Sequence, residues 1–151
     1  MNGEHLFTTS TILEKSRDEV FPFFSNAENL EKITPPDLNF QILSPLPIEM
    51  KVGAIIDYQI KLMGVSFKWK TEITKWNPPY SFEDVQLKGP YRQWIHTHTF
   101  EEVEGKTIMT DYVRYALPIW PFGQVAFPFV SFKIKQIFKH RNKVIHQLLE
   151  T

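Results

Sequence analysis

Two histidines share one face of a predicted strand with two large aromatic residues. Side chains alternate between the two faces of an extended strand. The segment YRQWIHTHTFEEV (residues 91–103) therefore places four of them together: Trp94, His96, His98 and Phe100. An imidazole can transfer protons near neutral pH, orient a polar ligand group or bind a metal ion. Because this combination is unusual on a solvent-facing strand, we predict that the face lines a cavity.

A carboxylate on the following strand is predicted to lie beside His98. A two-residue turn at Glu104–Gly105 would set His98 directly opposite Asp111, at contact distance. A hydrogen bond between the two would fix the tautomer of the imidazole and favour its protonated form. The pair depends on this register, because a slip of one residue would remove it.

The preceding strand is predicted to add polar groups to the same cavity. Phe82, Asp84 and Gln86 share one of its faces, and an odd-length loop around Gly89–Pro90 would turn that face toward the histidines. An apolar pocket with a few converging polar groups is the usual form of a small-molecule site. The residues predicted to bind the ligand or line its cavity are Ile56, Tyr58, Ile60, Phe67, Trp69, Phe82, Asp84, Gln86, Trp94, His96, His98, Phe100, Asp111, Tyr115, Trp120, Phe129 and Ile137.

Three interpretations of the histidines are open at this point. They can form a buried polar network with Asp84, Asp111 and Gln86 that ties the strands together. They can orient a carbonyl or phenol group of a ligand. They can also catalyse cyclisation or dehydration of a poly-carbonyl chain, with His98 as general acid or base and Asp111 as its orienting partner.

A metal site is the weakest of the alternatives. His-x-His on a strand can chelate a metal ion, and Asp111 could complete a set of three ligands. The pattern lacks the further groups that orient metal ligands. The sequence also contains no nucleophile elbow, no phosphate-binding glycine loop and no dinucleotide fingerprint. We therefore predict neither a metal nor another cofactor.

The composition is that of an ordinary globular protein with many aromatic residues. The 151 residues fit one domain, residues 1–151, with a substantial core. Hydrophobic residues make up 42% and charged residues 23%, and the 13 Phe, 5 Tyr and 4 Trp suit either a core or a large apolar pocket. The chain has no cysteine, which excludes disulfides and thiol catalysis. Its net charge of zero gives no global field to attract nucleic acid.

Charge and hydropathy along the chain indicate its surroundings. The N-terminus lacks the features of a signal peptide, and no apolar run approaches the length of a transmembrane helix, so a cytoplasmic location is expected. Residues 112–149 contain no acidic side chain, and we interpret the basic residues there as the solvated face of a helix. We do not expect membrane contact, although a basic face would permit it, and no oligomeric state is predicted. The basic residues are Arg114, Lys133, Lys135, Lys139, Arg141 and Lys143.

Periodicity and turn residues indicate the elements that position these side chains. An alternating strand is predicted for residues 5–13. Two short helices follow: Ser16 and Glu19 form a capping-box pattern for the first, and Asn26 caps the second, which ends at Thr34 before two prolines. Antiparallel strands linked by short turns are then predicted for residues 38–43, 54–63, 65–74, 80–88, 91–103 and 106–117.

One long amphipathic helix is predicted at the C-terminus. The residues of its inner face recur at steps of three and four: Val130, Ile134, Ile137, Phe138, Arg141, Ile145 and Leu148. The helix either begins near Pro128, where proline is tolerated, or extends back toward Phe122 with a kink at Pro128. The segment LPIWPFG (residues 117–123) is interpreted as an apolar plug beneath the helix or as a hydrophobic rim of the cavity.

This order of elements, together with three segments, resembles the SRPBCC (START-like) superfamily. The segments are NAENLEKITPPDLNF (residues 26–40), MGVSFKWKTEITKWNPPYSFEDVQLKGPYRQWIHTHTFEEVEGKTIMTDYVRYALP (residues 63–118) and IFKHR (residues 137–141). The nearest branch resembles the bacterial polyketide cyclase/dehydrase and coenzyme Q-binding-like proteins. The resemblance implies an α+β helix-grip fold: a curved antiparallel sheet wrapped around the long C-terminal helix, with two short helices after the first strand. It also implies a cavity that often takes a hydrophobic or aromatic ligand.

We expect the chain to bind or carry a small hydrophobic molecule, lipid-, quinone- or polyketide-like, without need of catalysis. One alternative is a polyketide cyclase or aromatase, and another is a protein-interaction module that uses the basic helix or the apolar rim. Loss of turnover in His98→Ala would favour the enzyme. Sensitivity to charge reversal at Lys133, Lys139 and Lys143 would favour the interaction module.

Overall fold

Seven antiparallel strands form one sheet that packs against a long C-terminal helix in the computed structural model, which describes residues 3–62, 64–118 and 122–150. The elements are, in order, β1 (Glu4–Leu13), α1 (Arg17–Phe24), α2 (Asn29–Ile33), a 3₁₀ turn (Pro36–Leu38), β2 (Gln41–Ile42), β3 (Ile55–Leu62), β4 (Val65–Asn77), β5 (Ser81–Lys88), β6 (Gln93–Val103), β7 (Lys106–Ala116) and α3 (Phe122–Leu149). The strand order is β1-β7-β6-β5-β4-β3-β2. The predicted α+β helix-grip fold, with a curved sheet around the C-terminal helix, is confirmed.

The sheet presents one face of alternating residues to α3. On β7, Val113 and Tyr115 are buried, while Arg114 between them is exposed. Both buried residues belong to one apolar cluster with Ile134 and Phe138 of α3. Each such side chain contributes roughly 1.5–3 kcal/mol when it is removed from water. The alternation that predicted the strands is therefore the same feature that fixes α3 against the sheet.

The first short helix closes one end of the sheet. Val20, Phe21 and Phe24 of α1 are buried in a cluster with Phe100 of β6 and Ile145 of α3. The rings of Phe21 and Phe100 meet edge to face, with centroids 5.2 Å apart and planes at 74°, an arrangement that aromatic pairs favour. This cluster connects the strand that carries the histidines to the C-terminal half of α3.

The predicted strand at residues 38–43 is wrong over most of its length. Pro36–Leu38 form a 3₁₀ turn instead, and Gln41–Ile42 alone pair with β3. Proline suits the first turn of a helix, and Asn39 then ends the turn in the left-handed conformation with a φ of 47°. The turn buries Leu38, which becomes part of the cavity wall.

The two short helices begin differently from the predicted capping patterns. Ser16 is the N-cap of α1 as predicted, but its hydroxyl donates to Glu19 Oε1 at 3.2 Å and makes no bond to a backbone N–H. The N-cap of α2 is Glu28 rather than Asn26, and Asn26 Oδ1 instead accepts from the Glu28 N–H just before the helix. The helix ends before the two prolines, with Thr34 as its C-cap, as predicted.

The C-terminal helix takes the longer of the two predicted courses. It begins at Phe122 and contains Pro128. Residues 119–121 lie outside the described residues, so the predicted cavity role of Trp120 and the plug or rim at residues 117–123 stay predictions. Among the helices that the structure describes, none is both long enough and apolar enough to cross a membrane.

Candidate ligand-binding site

A cavity of about 150 Å³ lies between the sheet, α3 and the segment from α1 to the 3₁₀ turn. The structure places these predicted residues in its wall: Ile56, Tyr58, Ile60, Trp69, Phe82, Asp84, Trp94, His96, His98 and Ile137. The wall also contains residues that the sequence did not single out as a site: Phe24, Ala27, Leu30, Thr34, Leu38, Phe40, Met50, Leu62, Thr71, Ile73, Tyr91, Ile134, Phe138 and Arg141.

Several predicted wall residues lie elsewhere, among them Asp111, which is 1% exposed and is not part of the described wall. Phe100 and Tyr115 are each 2% exposed and pack in the apolar clusters around α1 and α3. Phe129 is 46% exposed and lines a groove beside the cavity. Phe67 is half-buried near the beginning of β4 and is not part of the described wall. The strand face of Phe67, Phe100 and Tyr115 was predicted correctly, but that face is longer than the cavity that it borders.

Gln86 supports the wall from behind instead of forming it. Its Nε2 donates to the carbonyl of Tyr91 at 2.6 Å, and its Oε1 accepts from the N–H of the same residue at 3.2 Å. These two bonds hold the loop between β5 and β6, and Tyr91 in that loop is a wall residue. The amide therefore positions an aromatic side chain of the cavity and does not contact the ligand space.

The predicted strand register around the histidines is confirmed. The turn residues Glu104 and Gly105 have positive φ angles of 52° and 77°, which two-residue hairpin turns favour. As a result β6 and β7 pair with His98 opposite Asp111. On the other side of β6, β5 pairs with Asp84 opposite His96. Two carboxylates therefore flank two imidazoles on the inner face of the sheet.

The hydrogen bonds of this cluster run diagonally, which corrects the predicted His98–Asp111 bond. His96 Nε2 donates to Asp111 Oδ1 at 2.7 Å, and His98 Nε2 bonds Asp84 Oδ2 at 2.7 Å. His98 Nδ1 lies 3.4 Å from Asp111 Oδ1 without a hydrogen bond. Each histidine thus bonds a carboxylate that lies two residues along the neighbouring strand from the position directly opposite that histidine. This diagonal separation is within the reach of long side chains.

Ring stacking explains the exchange of partners. The imidazoles of His96 and His98 lie face to face with centroids 3.7 Å apart and planes at 25°. The ring of Phe82 stacks on the other face of His98, with centroids 4.0 Å apart. Stacked rings direct their nitrogen atoms sideways, toward the strands on either side. The sequence pattern assigns these rings to one face but carries no information about their tilt.

The protonation states of the histidines and carboxylates follow from their burial and from these hydrogen bonds. Burial alone would raise the pKa of Asp111, but the hydrogen bond and charge of His96, with the charge of Arg141, outweigh it and lower the pKa to about 2. The pKa of Asp84 is likewise lowered, since the bond from His98 and the nearby positive charges outweigh burial. Burial and the neighbouring His96 lower the pKa of His98 to about 4. At neutral pH His98 is therefore a neutral imidazole beside ionised carboxylates, and the predicted imidazolium is wrong.

The same cluster is poorly arranged for a metal ion. One ligand atom from each of Asp84, His96 and His98 lies within 4.8 Å of the others. However, the two imidazoles are stacked with centroids 3.7 Å apart, whereas metal ligands must point at one centre. The Nε2 atoms already bond carboxylates, and Arg141 adds a positive charge to the wall. The cluster is better suited to hold protons than a metal.

Arg141 is the functional candidate that the sequence interpretation missed. Instead of joining a solvated basic face, its side chain is only 8% exposed and lines the cavity, with its Cζ 4.8 Å from the centre of the Phe138 ring. Its position is visible in the helical repeat, because Arg141 lies between Phe138 and Ile145 at steps of three and four. A charged residue inside an apolar helical stripe is the signal that could have identified it.

Two surface grooves adjoin the cavity around the 3₁₀ turn. One, of about 290 Å³, includes Leu38, Lys133 and Ile137, and the other, of about 260 Å³, includes Leu38, Lys133 and Tyr91. Leu38, Ile137 and Tyr91 are also wall residues of the cavity. We call this region, where the 3₁₀ turn meets α3, the mouth of the cavity.

Comparison with known proteins gives structural likenesses at low sequence identity. No family model matches the chain, and no curated protein matches it. The Zhui aromatase/cyclase from Streptomyces sp. R1128 superposes with a TM-score of 0.79 at 11% identity, over 97% of this chain and 94% of that one. A START superfamily protein from Mycobacterium smegmatis gives 0.73 at 12% identity, over 97% of each chain. Ara h 8.0201 gives 0.66 at 13%, over 95% of this chain and 98% of that one.

These likenesses define the class of fold. The protein shares the helix-grip fold with these three proteins, and the resemblance noted in the sequence is confirmed at the level of the fold. Identities of 11–13% establish the fold alone. The nearest branch, with polyketide cyclases, dehydrases and coenzyme Q-binding-like proteins, stays a prediction.

Proposed function

We propose that this protein binds or carries a small hydrophobic molecule in the cavity between the sheet and α3. The observation that carries the proposal is the wall itself, which combines many aliphatic and aromatic side chains with a few polar groups, among them His98, Asp84 and Arg141. The shared fold with a START superfamily protein supports it. A lipid-, quinone- or polyketide-like ligand and a cytoplasmic location are parts of the same proposal.

The size of the cavity limits what can enter. An apolar cavity of about 150 Å³ accepts a molecule about the size of benzene. A longer ligand must therefore extend through the mouth beside Leu38, or the side chains there must move. We expect short chains and single rings to bind within the wall and longer molecules to leave their far end in the grooves.

Filling the cavity is expected to abolish binding. In Ile56→Trp the larger side chain would occupy the ligand space, because Ile56 is 3% exposed and lines the wall. Nile red, a neutral dye of four fused rings, is larger than the cavity and must extend into the grooves, and its binding should weaken by at least about tenfold, corresponding to about 1.4 kcal/mol. Fluorescence titration of the dye measures the change in affinity.

The neighbouring residue supplies a matched control. Ile55 precedes Ile56 on β3 but is 40% exposed on the outer face, so Ile55→Trp adds the same side chain away from the cavity. Overpacking itself costs about 1–3 kcal/mol, so urea unfolding must show that both variants are folded under the titration conditions. Equal dye binding by the two variants would contradict the proposed site.

A polyketide cyclase or aromatase is the second candidate function. It is favoured by His98, which lies in the wall as a neutral imidazole held by Asp84. A neutral imidazole is the form that a general base requires. The likeness to an aromatase/cyclase supports it at the level of fold.

The variant His98→Gln distinguishes an enzyme from a carrier. Glutamine can still donate to Asp84 but cannot transfer a proton. If the protein cyclises a poly-β-carbonyl substrate, turnover should fall by about 10²–10⁴-fold. A carrier should instead change its affinity for Nile red only a few-fold. Product analysis by mass spectrometry and dye titration on the same preparations separate the two outcomes.

A further inference from the structure

Arg141 is a buried charge with two donor atoms that lack a hydrogen-bond partner among the residues that the structure describes. Its side chain is 8% exposed, and neither Nε nor Nη2 has a hydrogen-bond partner within residues 3–62, 64–118 and 122–150. Arginine does not release its proton in proteins, and donor groups removed from water without a hydrogen bond are costly. Arg141 lines the cavity, but Nε and Nη2 are themselves fully buried, so a partner in the cavity reaches these N–H groups only when neighbouring side chains move.

The two unpaired atoms define the chemistry of that partner. In a planar guanidinium, the N–H of Nε and one N–H of Nη2 lie on the same edge and run parallel. Such a fork matches the two oxygens of a carboxylate, whereas a hydroxyl or a single carbonyl satisfies one donor only. The Phe138 ring, 4.8 Å from Cζ, packs against the group and restricts its movement.

The carboxylates of the sheet do not supply this partner. Asp84 and Asp111 accept hydrogen bonds from His98 and His96 at 2.7 Å, and both act on Arg141 only through their charge. The donor edge of Arg141 therefore remains for a group of the ligand, and an anionic group binds there against the repulsion of these two ionised carboxylates.

One other wall donor lacks a partner among the described residues. Trp69 Nε1 is buried without a hydrogen bond, but an indole offers a single neutral N–H, which a carbonyl or hydroxyl oxygen can satisfy. Arg141 offers two parallel donors that carry a charge, so it has the larger influence on which head group binds.

We propose that the ligand of this protein is an amphipathic carboxylic acid whose carboxylate binds the Nε–Nη2 edge of Arg141 and whose apolar part fills the cavity. The inference rests on the ligand-binding function proposed above. It narrows the ligand class from hydrophobic molecules in general to acids. The mouth beside Leu38 leaves room for chains longer than the cavity.

The test compares octanoate with 1-octanol, which share a chain length and differ in the head group. The wild-type protein should bind octanoate at least about tenfold more tightly at neutral pH, as expected for a charge-assisted pair of hydrogen bonds. In Arg141→Gln the ratio of the two affinities should fall to about one. Calorimetry or displacement of Nile red measures both ligands on the same protein.

Two further variants keep the test decisive. Lys139→Gln removes an exposed cation from the same helix, and the preference for octanoate should persist in it. Arg141→Lys keeps the charge but loses the parallel donors, so the preference should shrink without vanishing. This variant replaces Arg141→Gln if the latter does not fold.

The possible outcomes distinguish failure of the carboxylate assignment from failure of the proposed ligand-binding function. Equal affinities for octanoate and 1-octanol in the wild-type protein, or an equal preference in wild type and Arg141→Gln, would overturn the carboxylate assignment. Binding of Nile red without binding of octanoate would overturn it and leave the proposed function intact. Failure of Nile red, 1-octanol and octanoate alike would overturn both.

Discussion

Replacing Asp111 with alanine is expected to lower the free energy of unfolding by about 3–5 kcal/mol, the cost of removing one partner from a buried pair. Asp111 is 1% exposed, and its Oδ1 accepts the Nε2–H of His96 at 2.7 Å. Without the carboxylate, a buried imidazole would lose its hydrogen-bond partner and a cavity would remain beside it. Urea unfolding at neutral pH measures the loss.

A second carboxylate of the sheet provides the control. Asp57 lies 3.8 Å from Lys70, and the two side chains are 44% and 40% exposed. Exposed pairs of this kind contribute about 0–1 kcal/mol, so Asp57→Ala should have a small effect. Asp111→Asn keeps an acceptor oxygen for His96 and should recover part of the stability. If Asp111→Ala were no worse than Asp57→Ala, the His–Asp cluster would not stabilise the fold.

The register of this cluster could be predicted from the sequence because a turn determines it. Glu104 and Gly105 allow a two-residue hairpin, and alternation then assigns every side chain of β6 and β7 to a face. The pairing of His98 opposite Asp111 is a direct consequence. The change of hydrogen-bond partner could not be predicted, since it depends on ring planes that stack across the sheet.

The contribution of the short helices to the cavity could not be predicted from the sequence, for a different reason. Phe24, Leu30 and Leu38 line the wall, but each belongs to a segment of at most eight residues. Such segments carry too few repeats for a pattern to show which side faces the core. Their positions are fixed by contacts with α3 and the sheet, which only the folded chain supplies.

Arg141 shows how a correct pattern can still be misinterpreted. The helical repeat places the residue on the inner stripe of the predicted helix, whereas its charge groups it with the basic residues of the outer face. The charge of Arg141 predicts an exposed side chain, whereas the helical periodicity predicts a buried one. In the structure the side chain is buried. A conflict between local preference and the overall pattern is expected at functional sites, which is why this residue carries the inference about the ligand.

Acid is expected to destabilise the folded protein because His98 is neutral in it. Burial, with the neighbouring His96, lowers the pKa of His98 from 6.5 to about 4. Between these values the unfolded chain binds a proton on His98 that the folded protein does not, so the free energy of unfolding falls as the pH falls. At about 1.4 kcal/mol per pKa unit, the loss is on the order of 3 kcal/mol. Urea unfolding at neutral pH and at about pH 4 measures it.

The variant His98→Gln isolates this contribution from the other titrating groups. Glutamine keeps a donor for Asp84 but does not titrate, so the loss of stability in acid should be smaller than in wild type by about 3 kcal/mol. A gain in stability toward acid would instead mean that His98 is an imidazolium paired with Asp84. NMR titration of the imidazole distinguishes the two forms directly. The result also bears on function, because only the neutral ring has a lone pair on Nδ1 with which to accept a proton from a ligand.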